Sequence, residues 1–238
     1  MTDWEGFFRL HDGLPREGPG DRATLDWALG HANLPATARI LDAGCGPGGD
    51  IAGLLAHAPD GHVTAVDSHA PFIETVKVRF SGEPRVTSVT CDMSKPPGAP
   101  FDLIWCAGAL YFLGLAEGLA RMHDLLAPGG SLAISYPCHF RTPPSQAAKA
   151  FWKGEDLPIP TEDDIRAAFQ AAGFLPVAAR PLPDAAWKAY YTPLLERAAR
   201  LETEPSLAPA IAETRAEAAA WAKAKEETGY LLVIGRRR

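Results

Sequence analysis

Asp42 stands two residues ahead of a crowd of glycines, Gly44, Gly46, Gly48 and Gly49, behind the short apolar run at residues 39–43. A strand that ends in glycines and opens a helix lets a ligand lie directly on the backbone. Gly44, Gly46 and Gly49 satisfy G-x-G-x-x-G, and Asp67 ends the next apolar run, where an acid takes ribose hydroxyls in dinucleotide sites. Asp42 does not suit that pattern. A carboxylate is repelled by a pyrophosphate and attracted to a ligand carrying positive charge or an amine near the loop. Asp92, in "TCDM" behind a third apolar run, is a further acid in an equivalent place.

Two more side chains are candidate acid–base or orienting groups, Tyr111 after the fourth apolar run and His139 after the fifth. Tyr111 has a plainer alternative as a packing residue or helix start. His139 is expected in a polar, proline-flanked loop at the surface. His57, His62 and His69 show no metal-ligand spacing, so no metal is expected. Phe151-Trp152 and Trp187, Tyr190 and Tyr191 are candidate lid residues. The last three also fall at helical spacing with Leu194 and Leu195, the pattern of an aromatic core stripe.

The elements that must position these groups follow from periodicity. A helix over 2–11 carries Trp4, Phe7 and Phe8 behind Thr2 or Asp3 as cap, "GLPREGPGD" (13–21) is a loop, and Asp21 caps a second helix. Strands at 39–43, 62–67, 85–90, 101–106 and 131–136 alternate with helices near 51–55, 71–80 and 114–126. Such alternation builds a parallel sheet with helices on both faces. Thr161 and Asp164 start another helix that Gly173 ends, and Pro176 puts the sixth strand at an edge. Residues 184–228 are helical, with Pro193 and Pro209 as helix starts, and 229–235 return as the last strand. The expected fold is α/β: a Rossmann-like, doubly wound, seven-stranded sheet, mostly parallel with the last strand antiparallel. It is expected as one domain over 1–238: N-terminal helices at 1–35, a ligand-binding core at 36–183, a helical insertion or lid at 184–228 and the last strand at 229–238.

Asp42 before the glycines, Asp67, Asp92 and "LLAPGG" (125–130) together resemble the class I S-adenosylmethionine-dependent methyltransferases, strongly over residues 36–136. The chain also resembles a narrower bacterial group of small-molecule methyltransferases, similar to the ubiquinone-biosynthesis type, through "GPG" (18–20), "DLIWCAGALYFLG" (102–114), "FW" (151–152), "YYTP" (190–193) and "GYLLVIGRR" (229–237). The resemblance implies that Asp42, Gly44, Cys45 and Gly46 lie against the methionine part of S-adenosylmethionine. It implies that Asp67, with Ser68 beside it, binds the ribose hydroxyls, that Asp92 with Met93 reaches the adenine, and that Ala107 completes the cofactor set. The implied reaction is in-line methyl transfer to a small-molecule acceptor, leaving S-adenosylhomocysteine. An NAD(P)-dependent oxidoreductase and a non-catalytic S-adenosylmethionine-binding module stay open as alternatives. A DNA aminomethylating enzyme is disfavoured by "WCAGAL" where D/N/S-P-P-Y/F would stand.

Bulk properties set the surroundings. The chain has 238 residues, 47% of them hydrophobic, with a net charge of -6. A basic stripe for nucleic acid is missing, and Arg236-Arg237-Arg238 reads as a solvated tail. Four cysteines without a C-x-x-C pair point to a reducing, cytoplasmic setting. No leader pattern or membrane-length apolar run is seen, so no membrane partner is expected. A monomer or homodimer is expected.

Overall fold

The structure, a computed structural model, describes residues 4–154 and 158–238. The expected cap at Thr2 or Asp3 lies outside the described residues. Seven strands form one sheet: β1 (Arg39–Ala43), β2 (His62–Asp67), β3 (Val86–Thr90), β4 (Phe101–Ala107), β5 (Leu126–His139), β6 (Phe174–Pro181) and β7 (Thr228–Arg237). Their order is β3-β2-β1-β4-β5-β7-β6, and β7 runs antiparallel to both of its neighbours. This is the Rossmann-like mixed sheet expected from the alternation of elements, and Pro176 does sit on an edge strand, β6.

Side chains alternate across the sheet, as the two-residue period of a strand requires. Ile40, Leu103 and Leu232 feed one hydrophobic cluster, and Leu41, Ile104 and Val233 feed the other. Helices α2 (Arg22–Leu29), α3 (Ile51–His57) and α4 (Ala70–Arg79) cover the first face with Leu25, Leu54 and Val76. Also on that side are α1 (Trp4–His11), α8 (Asp184–Arg200) and α9 (Ala208–Ala224), through Leu10, Leu194 and Ile211. The second face takes Leu119 from α5 (Leu115–Leu125) and Phe169 from α7 (Glu162–Ala171). A short α6 (Gln146–Phe151) precedes α7.

Local signals work as chemistry dictates. Asp21 accepts the Thr24 amide at 2.7 Å at the start of α2. Thr161 and Asp164 form a reciprocal capping box, and Gly173 follows α7 at φ +88°. Two expectations change. Pro193 lies inside α8, because the buried faces of Tyr190, Tyr191 and Leu194 hold one helix through it, whereas Pro209 does sit in the first turn of α9. β5 runs on to His139 because β7 pairs with it all the way, His139 opposite Thr228; His139 therefore ends a strand and is not in a loop. Arg236 and Arg237 lie in β7, opposite Ser131 and Phe174, within the last strand expected at 229–238, and Arg236 and Arg238 are exposed. In α1 the buried side is Gly6, Leu10 and His11, while Trp4 is exposed.

Gly235 tests the packing between β7 and α7. A Cβ there would sit 2.7 Å from Phe169 Cδ1. Gly235→Ala should lower the unfolding free energy by about 1–3 kcal/mol in a urea titration through overpacking.

Candidate active site

β1 and β2 end side by side, Ala43 opposite Val66. The chain leaves β1 through Gly44 at φ +70°, and the Gly44 and Cys45 amides both donate to the Val66 carbonyl, at 2.9 and 3.0 Å. A side chain at Gly44 would overlap Ala109 in the loop after β4. The backbone is bare there partly because two strand-end loops touch. At Gly46, φ +52°, the amide donates to Asp67 Oδ2 at 2.9 Å, and the His69 amide donates to Oδ1 at 2.8 Å. His69 is the N-cap of α4 and its own side chain makes no capping bond. The Asp67 carboxylate ties the end of β2 to the glycine loop.

Asp42 lies beneath this loop, 3% exposed, and its Oδ2 has no hydrogen-bond partner. Burial pushes its carboxyl well above the usual range; the charges of Asp50 and Asp67 add to the rise and Arg16 opposes it. Burial, then Asp42 and Asp67, likewise push the Cys45 thiol up. Met93 joins the same place, its Sδ 3.9 Å from where a Gly44 Cβ would be. Ala107 ends β4, half-buried. Ser68 and Asp92 are exposed at the rim. Asp92 accepts the Ser94 amide at 2.8 Å, and that bond holds its carboxyl below the ordinary value.

The loop has a cover that sequence reasoning passed over. Residues 12–21 cross it as a strap. The Pro15 carbonyl would lie 2.7 Å from a Cβ on Gly49, and Glu17 Cγ 3.4 Å from one on Gly46. Arg16 Nη2 donates to Asp50 Oδ1 at 2.6 Å, and Trp105 Nε1 donates to Asp50 Oδ2 at 3.0 Å. Both Arg16 and Asp50 are 14% exposed. A side chain on Gly20 would overlap the Arg16 guanidinium. Glu17 Oε2 meets His11 Nδ1 at 2.7 Å, while Glu17 Oε1 is buried without a partner. His11 stacks on Phe7, with ring centroids 3.9 Å apart, and lies 6.1 Å from the Tyr190 ring. The signal was present in "GLPREGPGD", where two charged residues sit inside a glycine- and proline-rich stretch.

Tyr111 lies on the 3-10 turn Leu110–Leu113 after β4, and its phenol is among the groups acting on Tyr190. Burial pushes the Tyr190 phenol well up, with Glu217, Glu17 and Tyr111 adding to it. His139 is engaged elsewhere: its Nδ1 meets Thr228 Oγ1 at 3.0 Å, the hydroxyl to which Trp152 Nε1 donates at 2.6 Å. Burial, then Lys149, lowers its pKa. Trp187, Tyr190 and Tyr191 are buried, and Trp187 stacks on Trp221 with centroids 5.2 Å apart, so the aromatic stripe is core. Open grooves of about 450 Å³ beside Leu55 and Phe80 and about 250 Å³ beside Arg39 and Thr87 are lined by none of the glycine-loop residues. Among the described residues no group of three or more His, Cys, Asp or Glu could hold a metal ion. No helix among them is long and apolar enough to cross a membrane.

Comparisons with known proteins bear on the same stretch. A family model described as "Methyltransferase domain" matches residues 40–130. A trans-aconitate 2-methyltransferase of Variovorax paradoxus (strain S110) is 30% identical over 185 residues, covering 73% of this chain and 69% of the relative. One from Azoarcus sp. (strain BH72) is 32% identical over 183 residues, covering 76% and 64%. The chain spans about half to two thirds of the length of the first curated relatives it matches. Among solved structures, a SAM-dependent methyltransferase from Geobacter sulfurreducens in complex with S-adenosyl-L-homocysteine aligns with a TM-score of 0.81 at 20% identity, covering 98% of each chain. One from Thiobacillus denitrificans aligns with the same score and identity, covering 100% of this chain and 99% of that one. At this identity the likeness is one of fold.

Asp42 sets a test with opposite signs. Its folded carboxyl keeps its proton above the unfolded value, so Asp42's own contribution to stability is fully present below the ordinary carboxylate range and is lost as pH rises through the folded pKa. Asp42→Asn should therefore raise the stability of the unliganded protein at pH 8 by about 1–3 kcal/mol in chemical denaturation, and flatten that loss with pH. It should weaken binding of S-adenosylhomocysteine at least about tenfold in calorimetry.

Proposed function

Because the chain belongs to the class I S-adenosylmethionine-dependent methyltransferase family, we propose that it transfers the methyl group of that cofactor to a small-molecule acceptor. The observation that carries this is the unpartnered, buried Asp42 carboxylate under a bare glycine loop. Burial makes this carboxyl hold its proton in the unliganded chain, and a ligand with an ammonium or sulfonium group would favour the charged form and pair with it. Asp50, Asp67 and Glu17 gather more negative charge at the same loop, with Arg16 as counter-charge. A dinucleotide pyrophosphate would be repelled by this set, which disfavours the oxidoreductase alternative.

In this reading Gly44, Cys45 and Gly46 present backbone to the methionine part, and Asp42 faces its positive charge. Asp67, already aligned by two amides, takes the ribose hydroxyls, with Ser68 beside it. Met93, Ala107 and the rim residue Asp92 border the adenine. When bound, the cofactor supplies an electrophilic methyl on a cationic sulfur. The chain's own contribution is to orient the acceptor in line with that methyl and to exclude water, effects that reach effective molarities of about 10⁵–10⁸ M. The cytoplasmic, reducing setting belongs to the same reading and is supported by the free, buried thiols Cys45, Cys106 and Cys138.

Titration calorimetry with S-adenosylhomocysteine and NADH in parallel tests the cofactor. Micromolar binding of the first and none of the second is expected; the reverse result returns the site to the nicotinamide alternative. Asp67→Ala should weaken S-adenosylhomocysteine at least about tenfold, since each charge-assisted bond lost is worth about 1.5–3 kcal/mol. Unchanged affinity would remove Asp67 from the site.

The cover is part of the proposal. The strap is joined to α8 by the Gly20 amide on the Ala186 carbonyl at 3.1 Å, so strap and helical insertion 184–228 close over the loop together. Limited proteolysis should cut residues 12–21 and 184–195 more slowly when S-adenosylhomocysteine is present. Equal cleavage rates would make these segments fixed scaffold.

A further inference from the structure

We propose that His11, held by Glu17, takes the proton from the methyl acceptor, and that the acceptor is a neutral or cationic hydroxyl or amine compound rather than a polycarboxylate. This rests on the methyltransferase reading and adds the acceptor-side group to it. His11 is 2% exposed. Its Nδ1 lies 2.7 Å from Glu17 Oε2, and no described residue bonds its Nε2. With a carboxylate on one nitrogen, the neutral ring carries its proton on Nδ1 and presents a lone pair on Nε2. The same carboxylate side chain reaches the glycine loop, with Glu17 Cγ packed against Gly46. The pair is therefore built against the cofactor loop, between α1, the strap and α8.

The surroundings argue for the charge of the acceptor. The ionisable groups around His11 are Glu17 on the strap, Tyr190 on α8, and Glu217 on α9, which accepts from Tyr191 at 2.8 Å. Tyr111 acts on Tyr190 from the loop after β4. Of the cations, Arg197 donates to the Leu10 and Arg9 carbonyls and lies 3.7 Å from Asp12, Arg9 is paired with Glu204, and Arg16 with Asp50. Each of these three guanidiniums is already committed, while Glu17 Oε1 is buried and unpartnered. A tricarboxylate such as trans-aconitate, named for the relatives, needs spare cations; a phenol, alcohol or amine needs a proton acceptor and aromatic walls.

The step balances as follows. The acceptor's X–H proton goes to His11 Nε2 while the lone pair on X forms a bond to the methyl carbon. The carbon–sulfur bond breaks and its electron pair returns to sulfur, leaving a neutral thioether. Glu17 is a positioning residue: it fixes the ring and stabilises the imidazolium, which then releases its proton to water.

Nitrogen NMR of ¹⁵N-histidine protein reads the dyad without knowing the acceptor. The expected result is an Nδ1–H tautomer with an unprotonated Nε2 that shifts on addition of S-adenosylhomocysteine. An Nε2–H tautomer, or a His11 signal indifferent to bound S-adenosylhomocysteine, overturns the proposal. Failure of S-adenosylhomocysteine to bind at all overturns the methyltransferase reading instead. Labelled S-adenosylmethionine with a panel of phenols, alcohols, amines and di- and tricarboxylates reads the chemistry. Transfer to a hydroxyl or amine is expected, with His11→Gln slowing it about 100-fold or more while S-adenosylhomocysteine affinity stays within about threefold. Glu17→Gln should slow it about tenfold or more and shift the pH–rate profile, and Glu17→Asp should recover part of the loss. Transfer to a tricarboxylate, or full activity in His11→Gln, overturns it.

Discussion

A carboxylate oxygen sealed under the carboxyl edge of the sheet with nothing to bond is the constraint around which this molecule is arranged. Asp42 is in a central strand, so β2 and β4 flank it and the sheet excludes water from it. Strand burial sets the carboxyl where solvent cannot neutralise it, and Asp50 and Asp67 raise the field further. Only Arg16, reaching in from the strap, pulls the other way. The unliganded fold therefore makes this carboxyl hold its proton to higher pH than an exposed one would. A protein keeps such a group when a ligand resolves it, and loses stability by keeping it.

Everything near that charge is placed by contact between backbones. Gly44 is a glycine because Ala109 occupies the room a side chain would need, and Gly49 because Pro15 does. The second of these changes the meaning of the motif. In a dinucleotide fold the third glycine serves helix–strand packing near a pyrophosphate. Here it admits the strap, which brings Arg16 and Glu17 to the loop. One sequence pattern thus answers to two physical demands, and only the neighbours of each glycine tell them apart.

Legibility followed the range of the interactions. β1, β2 and the caps at Asp21 and Thr161 come from contacts a few residues long, and apolar period and cap chemistry located them. The extra length of β5 depends on β7, about a hundred residues further on, and no local signal announces it. Pro193 is a local helix breaker overruled by the buried aromatic face of α8. At the site, Asp42 and Asp67 were legible because strand ends are. The strap was not, since its partners Asp50, Gly46 and Gly49 are about thirty residues away and its own composition says only loop.

The span of the family model divides the chain in a way that has functional meaning. The family model matches residues 40–130, which hold Asp42, the glycines, Asp67, Asp92 and Tyr111. His11, Glu17, Tyr190 and Glu217 all lie outside it, on the first two N-terminal segments and on α8 and α9. The sheet core can speak for a cofactor because the cofactor's demands are common to many chains. Acceptor chemistry has to be read from segments that cover the core, and these meet through Gly20 on Ala186 and through His11 beside Tyr190. Glu17 and Tyr190 in that cover, with Arg9, Arg16 and Arg197 each already bonded, bear on the charge of the acceptor and not on the methyl donor.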